Sequence, residues 1–595
     1  MSQQASDLYF AKGAPDLYQI CTQGQWSPKD LKSNVRRGNN LARVTMAGLF
    51  RVSILLACFL YAGSAFAAGG TCPSGADYSG AAAFSNNVTL GSLGITNCYF
   101  IAENGSDSNS GTSKAAPWAH VPGMPGCTSV CASTTAAGGT GFILRGGDTW
   151  GTASLGFSWK WSGTSSAPIY IGVDQTWFSG SSWVRPIWTC GGAYCSNNTG
   201  WYFVSTASYF ILDNIEFTGG YSNNNTGQYY VGGCGQNQTY ENLYMHGWSH
   251  LAGMTTNPGG IGFATGCGNK TNGLTIRYNI VDGSDTSQDM FTAVRLSAPN
   301  LYGNIFRYVV SGATACGDNW HDNLVEYLVS PPGGAHQDAL YQYMQCYTPN
   351  SLIYNNVIRN TTFAGSGGSV KLWLNGNGPC PFGSSASSCV GYAFNNVIYN
   401  NLPGNMVDTA GHLSGVFYGT WYFFNNTVQC GTDSSMGVCS VGMNTGATLN
   451  FYALNNHWIQ SGTATPLACT NNPGGTCAQT NDLMETLAQA NAKGYTDTST
   501  YAFMPTSSSG VTVTSASSSI SNICGSVAGI DSGAAAACQS DTTYACSYNT
   551  TNHSVSCPKR ATFARTAEPS IGAYQFGSVQ ASVPDPPTNL AVSVQ

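Results

Sequence analysis

The sequence predicts an all-β solenoid, a stack of coils each built from short strands, and three observations carry the prediction. A phrase of two asparagines followed by hydrophobic residues returns at Tyr354-Asn355-Asn356-Val357-Ile358, Phe394-Asn395-Asn396-Val397-Ile398, Phe424-Asn425-Asn426-Thr427-Val428 and Leu454-Asn455-Asn456-His457-Trp458. A fixed phrase at a period of tens of residues marks stacked repeats. The flanking runs, such as Leu274 to Arg277 and Leu352 to Tyr354, are short and rich in the β-branched and aromatic types that strands favour. Only 8% of residues are charged, against 73 glycines and 12% aromatics, so the surface is turn-dense and made of Ser, Thr and Asn.

Requiring only the second asparagine extends the series upstream to Asn214, Asn242, Asn279, Asn304 and Asn323. Each would mark a bend between two strands. Asparagine tolerates a left-handed backbone, and its amide can bond the same residue one coil above and below, giving a ladder in coils about 4.8 Å apart. An uninterrupted repeat across 595 residues argues for one long solenoid rather than several domains.

The chain divides accordingly. Residues 46–67 show Arg51, an apolar core from Val52 to Ala62 and the small-residue end Ala65-Phe66-Ala67, which reads as a secretory signal too short to span a membrane. Residues 1–45 are an extended lead or a mis-called start, with Met46 as the true one. A lipoprotein site at Cys58 ranks below secretion, because apolar residues continue past it. The solenoid occupies 68–460, a C-terminal cap 461–577, and a linker with a partial strand 578–595. Within the cap, Asn481-Asp482-Leu483-Met484-Glu485 offers a helix start, Leu483, Leu487 and Ala490 recur at helical spacing, and Gly494 can end it.

Of the 22 cysteines, Cys21 and Cys58 precede the cleavage point and an even 20 follow. Near neighbours (Cys127 and Cys131, Cys190 and Cys195, Cys380 and Cys389, Cys430 and Cys439, Cys469 and Cys477, Cys546 and Cys557) suit local disulfides and an oxidising compartment. No CxxC-type cluster with nearby His suggests zinc. After residue 67 the chain holds 14 basic and 24 acidic residues, a net of −10, which argues against a nucleic-acid partner. A monomer is expected.

Residues 98–120 carry Gly105-Ser106-Asp107, Asn109, Gly111-Thr112 and Pro117-Trp118. Gly146-Gly147-Asp148-Thr149-Trp150, Ala167-Pro168-Ile169-Tyr170-Ile171 and, at the far end, Arg565 followed by Ile571-Gly572-Ala573-Tyr574 come after. In these motifs the chain resembles the secreted right-handed parallel β-helix proteins of the pectate-lyase-like class, over about residues 98–576. The resemblance implies a right-handed parallel β-helix with an asparagine ladder and a short C-terminal cap containing one helix. It also implies a polysaccharide partner and, from the class's lyases, calcium held by carboxylates and an Arg or Lys base. The chain lacks the NTD, Asp-Asp, GHG and RIK motifs of polygalacturonase-like hydrolases, which disfavours hydrolysis.

Counting three residues past the ladder asparagine gives Asp282, Arg307, Glu326 and Arg359 in four successive coils, a column of alternating sign. Two residues before it stand Arg277, Tyr302, His321 and Tyr354. Asp282, Asp285 and Asp289 fall in one turn, as an oxygen-ligated calcium would need. His336 and Asp338 share one side of a strand start and can move a proton or hold a metal. Lys371, on a strand beside Arg359, would have its pKa lowered by the like charge and serve as base. The expected activity is β-elimination of a uronic-acid polymer, with Lys371 or Arg359 as base and His336 and Asp338 as acid or ligands. Arg307, Glu326 and His321 would line the groove, and Trp320, Trp373 and Tyr354 would stack on sugars. The alternatives are a non-catalytic surface or matrix protein that binds glycan, and, further off, a glycoside hydrolase.

Overall fold

The computed structural model describes residues 69–73 and 89–576, apart from 194, 196–199, 223–227, 251–259, 266–272, 286–289, 330–336, 344, 362–368, 375–379, 386, 402–404, 409–417, 431–438, 443–447, 461–466, 471–474, 493–494, 496–501, 516–518, 545, 558–560 and 566–568. The expected lead, signal segment and final partial strand lie outside the described residues, as do His336 and Asp289.

Each asparagine pair splits two tasks between its members. The first residue turns the chain: Asn355, Asn395, Asn425 and Asn455 have φ of 55°, 58°, 54° and 55°, the left-handed conformation that asparagine accepts most readily after glycine. The second residue carries the ladder. From Asn279 through Asn304, Asn323, Asn356, Asn396 and Asn426 to Asn456, each side-chain Nδ2 donates to the next Oδ1 at 2.9–3.0 Å. The same Oδ1 also accepts the backbone N–H of the residue below, at 2.9–3.1 Å.

Asn214 and Asn242 do not belong to this ladder. Glu216 pairs with Tyr244, and Tyr244 with Ile280, so Asn214 and Asn242 stand in the left-handed column with φ of 61° and 54°. Ile215 and Leu243 take the rung positions. The ladder therefore has seven asparagines rather than nine. It ends on Asp482, whose Oδ1 accepts from Asn456 N at 2.7 Å and Nδ2 at 3.0 Å while Oδ2 accepts from the Trp458 indole at 2.8 Å. A last rung needs only to accept, and a carboxylate does only that. Burial raises the Asp482 pKa to about 6, against those hydrogen bonds.

Three parallel sheets follow from this turn. The first runs from Asn97–Ile101 to Cys477–Thr480, the second from Thr149–Trp150 to Leu483–Thr486 and the third from Phe157–Trp159 to Ala468–Thr470. Inward residues of all three, among them Phe142, Trp159, Phe203, Phe217, Phe263, Val281, Phe306, Val325 and Ile358, form one continuous core. This is a right-handed parallel β-helix. A strand covers Leu483–Thr486, where the sequence suggested a helix start; the helix is Leu487–Ala492. Asn481-Asp482 is one more copy of the repeat phrase, and its acidic rung disguises it as a helix cap. Among the described residues, no helix is long and apolar enough to cross a membrane.

The end motifs act as clasps. Asp107 accepts from the backbone of Ala119, His120 and Thr128 at 3.1 Å each and from His120 Nδ1 at 2.8 Å. At the other end, Arg565 reaches the carbonyls of Ser540, Ser570, Gly572 and Ala573 and the Asn395 Oδ1. Gly572 has φ of 91°, and a Cβ there would lie 2.8 Å from the Thr427 hydroxyl, so only glycine fits. Cys127–Cys131, Cys190–Cys195, Cys380–Cys389, Cys430–Cys439 and Cys546–Cys557 are disulfides, as the spacing suggested; Cys72–Cys98, Cys316–Cys346 and Cys524–Cys538 join more distant positions.

After the last coil the chain turns back along the outside of the stack. Helices Ser521–Ala528 and Ser532–Cys538 cover Leu352, Tyr354, Phe394 and Phe424 on the first sheet. Residues around Phe503, Tyr544 and Tyr574 cover Ile305, Leu324, Val357 and Val397 on the second. The C-terminal segment therefore lies over the face on which the charged column stands.

Candidate functional site

The charged column is present in register: Asp282 pairs with Arg307, Arg307 with Glu326, and Glu326 with Arg359. Arg359 binds Glu326 at 2.7 Å, while Arg307 stands 3.9 Å from Asp282 and 3.7 Å from Glu326. One further rung lies upstream. Met245 pairs with Val281, so His246 precedes Asp282 in the same column. The imidazole Nδ1 is 2.6 Å from Asp285 and its Nε2 is 3.0 Å from Glu216. Burial alone would lower its pKa, but the hydrogen bonds and charges of those two carboxylates prevail and raise it to about 9. His246 is thus a cation at neutral pH, and the alternation of sign runs over five coils.

A disulfide-closed hairpin from the C-terminal segment docks on this column. Its strands Ser547–Asn549 and Ser554–Ser556 pair antiparallel, and Cys546–Cys557 joins their bases. Just before it, Tyr544 accepts from Arg359 at 2.7 Å and meets Tyr399 at 3.0 Å, and the Thr543 hydroxyl donates to Asp322. Tyr548 lies over the Arg307 guanidinium, 5.1 Å from the ring centroid, and hydrogen-bonds Asp282. The hairpin also brings His553 onto the Tyr244 ring at 4.1 Å, while His246 stacks on Tyr244 at 4.2 Å.

The Asp282 carboxylate can only accept, so the Tyr548 hydroxyl donates to it, and burial with that charge keeps Tyr548 a neutral phenol. Tyr548 and His553 Nδ1 are 2.5 Å apart. Tyr548 also hydrogen-bonds Tyr244, and in the tautomer in which Nδ1–H donates to the Tyr548 oxygen, His553 Nε2 keeps a free lone pair. Burial, then the positive charges of His246 and Arg185, lower the His553 pKa. A neutral imidazole and a protonated one therefore share one tyrosine ring, at a place where Glu216, His246 and His553 are partly open and the Asp285 side chain is 47% exposed.

Several sequence expectations are corrected here. Lys371 is not beside Arg359: it lies in the third sheet, 0% exposed, with Nζ donating to Gln337 Oε1 at 2.9 Å. The flanking pairs Asp338 with Val370 and Leu340 with Leu372 set it opposite Ala339, a member of the central core. Its pKa is lowered to about 7 by burial rather than by a like charge; Asp338 acts the other way. Replacing Lys371 by methionine, the type at 406 in the next coil, should therefore raise stability at neutral pH by about 1 kcal/mol or more. The folded-state value lies below the unfolded one of 10.5, so the unfolded chain binds the extra proton as pH falls from 10.5 to 7. The gain should shrink to nothing as denaturation is followed above pH 10.5, and an unchanged midpoint at pH 7 would contradict the placement.

Arg359, the other expected base, is engaged by Glu326 and Tyr544. Tyr544, Glu326 and Tyr399 outweigh burial and hold its pKa above the ordinary value. Trp320 and Trp373, each 1% exposed, and Tyr354 are packed rather than open to sugars: Trp320 donates to Ala298 O, Trp373 stacks on Tyr341, and Tyr354 lies between His321 and Phe394. His321 sits in the same ring stack and bonds Asp322 at 2.7 Å. Asp338 is buried and accepts from Val370 N at 3.4 Å. Asp282 and Asp285 face different partners, Tyr548 and Arg307 for one, His246 and Gly247 for the other. Among the described residues no three metal-ligating side chains converge; Asp289 lies outside them, and no step below is routed through calcium.

No family model matches the sequence, and no curated protein matches it. Among solved structures the chain is similar to a GH136 lacto-N-biosidase from Eubacterium ramulus (13% identity, 65% of this chain and 67% of that one, TM-score 0.40). It is also similar to pectate lyase Pel9A (16% identity, 81% and 96%, TM-score 0.35) and to a rhamnogalacturonan lyase (13% identity, 64% and 86%, TM-score 0.33). Three parallel sheets, one strand each per coil, and an internal asparagine ladder decide the architecture. It is a three-sheet parallel β-helix. The β-helix carries its clustered titratable groups on the outer face of the second sheet, beside the C-terminal hairpin.

Proposed function

We propose that this chain is a secreted polysaccharide-active enzyme that cleaves a uronic-acid polymer by β-elimination at the Tyr244 stack. The observation that supports this most is the pair of imidazoles of opposite protonation flanking one tyrosine ring. Titratable groups whose surroundings push their pKa values apart are what acid–base chemistry at one pH requires. In the proposed step, His553 Nε2 takes the proton next to the substrate carboxylate. The electron pair of that C–H bond forms the double bond as the glycosidic C–O bond breaks, and His553 returns the proton to the leaving oxygen. The His246 imidazolium faces the substrate carboxylate, where negative charge grows in the transition state. Asp282 and Tyr548 hold the base in the tautomer that leaves Nε2 free.

The test is incubation of the full chain with polygalacturonate, alginate and other uronic-acid polymers between the two histidine pKa values, with and without added calcium or EDTA. Ultraviolet absorbance of the unsaturated product is expected to rise on at least one polymer. Retention of the protein by these polymers without any such rise would instead favour the non-catalytic binder.

A further inference from the structure

The second sheet ends in another left-handed column, one residue beyond the charged one. Gly283, Tyr308, Tyr327, Asn360 and Asn400 stand in register there, and Tyr308, Tyr327, Asn360 and Asn400 have φ of 50°, 54°, 54° and 50°. Asparagine suits this conformation, and Asn400 Nδ2 bonds Asn360 Oδ1 at 2.7 Å. A bulky aromatic residue does not suit it, and such strain persists mainly where function holds it. Yet two successive coils place tyrosine there, with rings parallel within 8° at 5.2 Å and partly exposed.

Arg307 lies over both rings, 5.1 and 5.5 Å from their centroids. Its Nε pairs with Glu326 and Asp282 only at 3.7 and 3.9 Å, beyond hydrogen-bond reach, and has no hydrogen-bond partner among the described residues. Tyr308 is partly exposed, and the position next to it in the column, on the side away from Tyr327, is Gly283. Tyr548, the hydrogen-bond partner of His553, borders the same guanidinium.

We propose that the exposed part of the Tyr308 ring, with Arg307 beside it, is a binding subsite for one acidic sugar ring of the polymer, adjacent to the Tyr244 stack. An aromatic face takes the C–H face of a pyranose, and a guanidinium without a hydrogen-bonded protein carboxylate can take the carboxylate of a sugar acid. The inference rests on the polysaccharide reading above.

Tyr308→Asn tests it, because asparagine is the residue that the same column uses at 360 and 400, so the backbone is relieved while the ring is removed. With the full chain in affinity electrophoresis through gels containing polygalacturonate or alginate, Y308N should bind about tenfold more weakly than the parent, the loss expected of one stacked ring. Tyr308→Trp should restore most of the retention, and the unfolding midpoint of Y308N should equal or exceed the parent's. Unchanged retention of Y308N would overturn the subsite, as would a parent protein retained by neither polymer. Failure of the β-elimination reading shows separately, as a parent that is retained yet releases no unsaturated product.

Discussion

Replacing His553 by alanine is expected to lower kcat/KM by about 10²–10⁴, the range for loss of a positioned base, with denaturant unfolding of the coil stack shifted by less than about 0.5 kcal/mol. The residue sits on a hairpin, partly exposed, and touches Tyr244 and Tyr548 outside the central core, so little of the coil stack depends on it. The pH dependence separates this role from a structural one. His553 must be neutral and its pKa lies below the ordinary 6.5, so kcat/KM should fall only on the acid side of that value. His246 must be protonated, so a second fall is expected as pH rises through about 9.

The same shift has a stability sign. A histidine raised in the folded state contributes stability that is fully present below 6.5 and lost as pH rises through 9. His246→Gln should therefore remove the alkaline limb and narrow the stability difference between pH 6 and pH 10. Tyr548→Phe removes the acceptor for Nδ1–H and should cost a smaller factor, with the acid limb moved. Full activity in His553→Ala at any pH would show that the base lies elsewhere.

The architecture was readable from residues because its signal is local and repeated. The Asn-Asn coils state both roles in sequence, and four rungs of the charged column were located by counting from Asn279, Asn304, Asn323 and Asn356. Three residues past Asn242 stands Met245 rather than His246, because this coil holds a single asparagine, in the turning position, with Leu243 in the rung. The clue was Glu216. It stands two residues past Asn214, where the other coils put an inward Val, Phe, Ile or Trp, and a carboxylate cannot enter that core. Correcting that slip would have added His246 to the column.

His553 and Tyr548 carried no such signal. Their partners lie hundreds of residues away, in the manner of Tyr544 and Arg359, separated by 185 positions, and no periodicity connects a docking segment to the face it covers. Lys371 misled for the opposite reason. Its neighbours alternate as on an outward strand, but the third sheet turns that column into the core, where Ala339 precedes it.

Asn356→Ala should destabilise the protein by about 3–5 kcal/mol, well above the usual effect of a point substitution. The side chain is fully enclosed. Its Nδ2 donates to Trp320 O and Asn396 Oδ1, each at 3.0 Å, and its Oδ1 accepts Asn323 N at 3.1 Å and Nδ2 at 2.9 Å. Alanine strands two donors and a carbonyl in the core and leaves Asn396 Oδ1 one donor short, and each buried group left unpaired costs about 1–3 kcal/mol before relaxation. Position matters as much as chemistry. Asn279 begins the ladder and receives only the Leu243 N–H from upstream, at 2.9 Å, so Asn279→Leu, which repeats the residue already present at rung 243, strands fewer groups and should cost less. In a solenoid each coil touches only its neighbours, so a weakened middle rung divides the stack into two halves that are no longer tightly coupled. Denaturant unfolding of Asn356→Ala is therefore expected to broaden or split, whereas that of Asn279→Leu keeps one transition, and equal midpoints for the two variants would show that the ladder is not continuous in energy even though it is continuous in space.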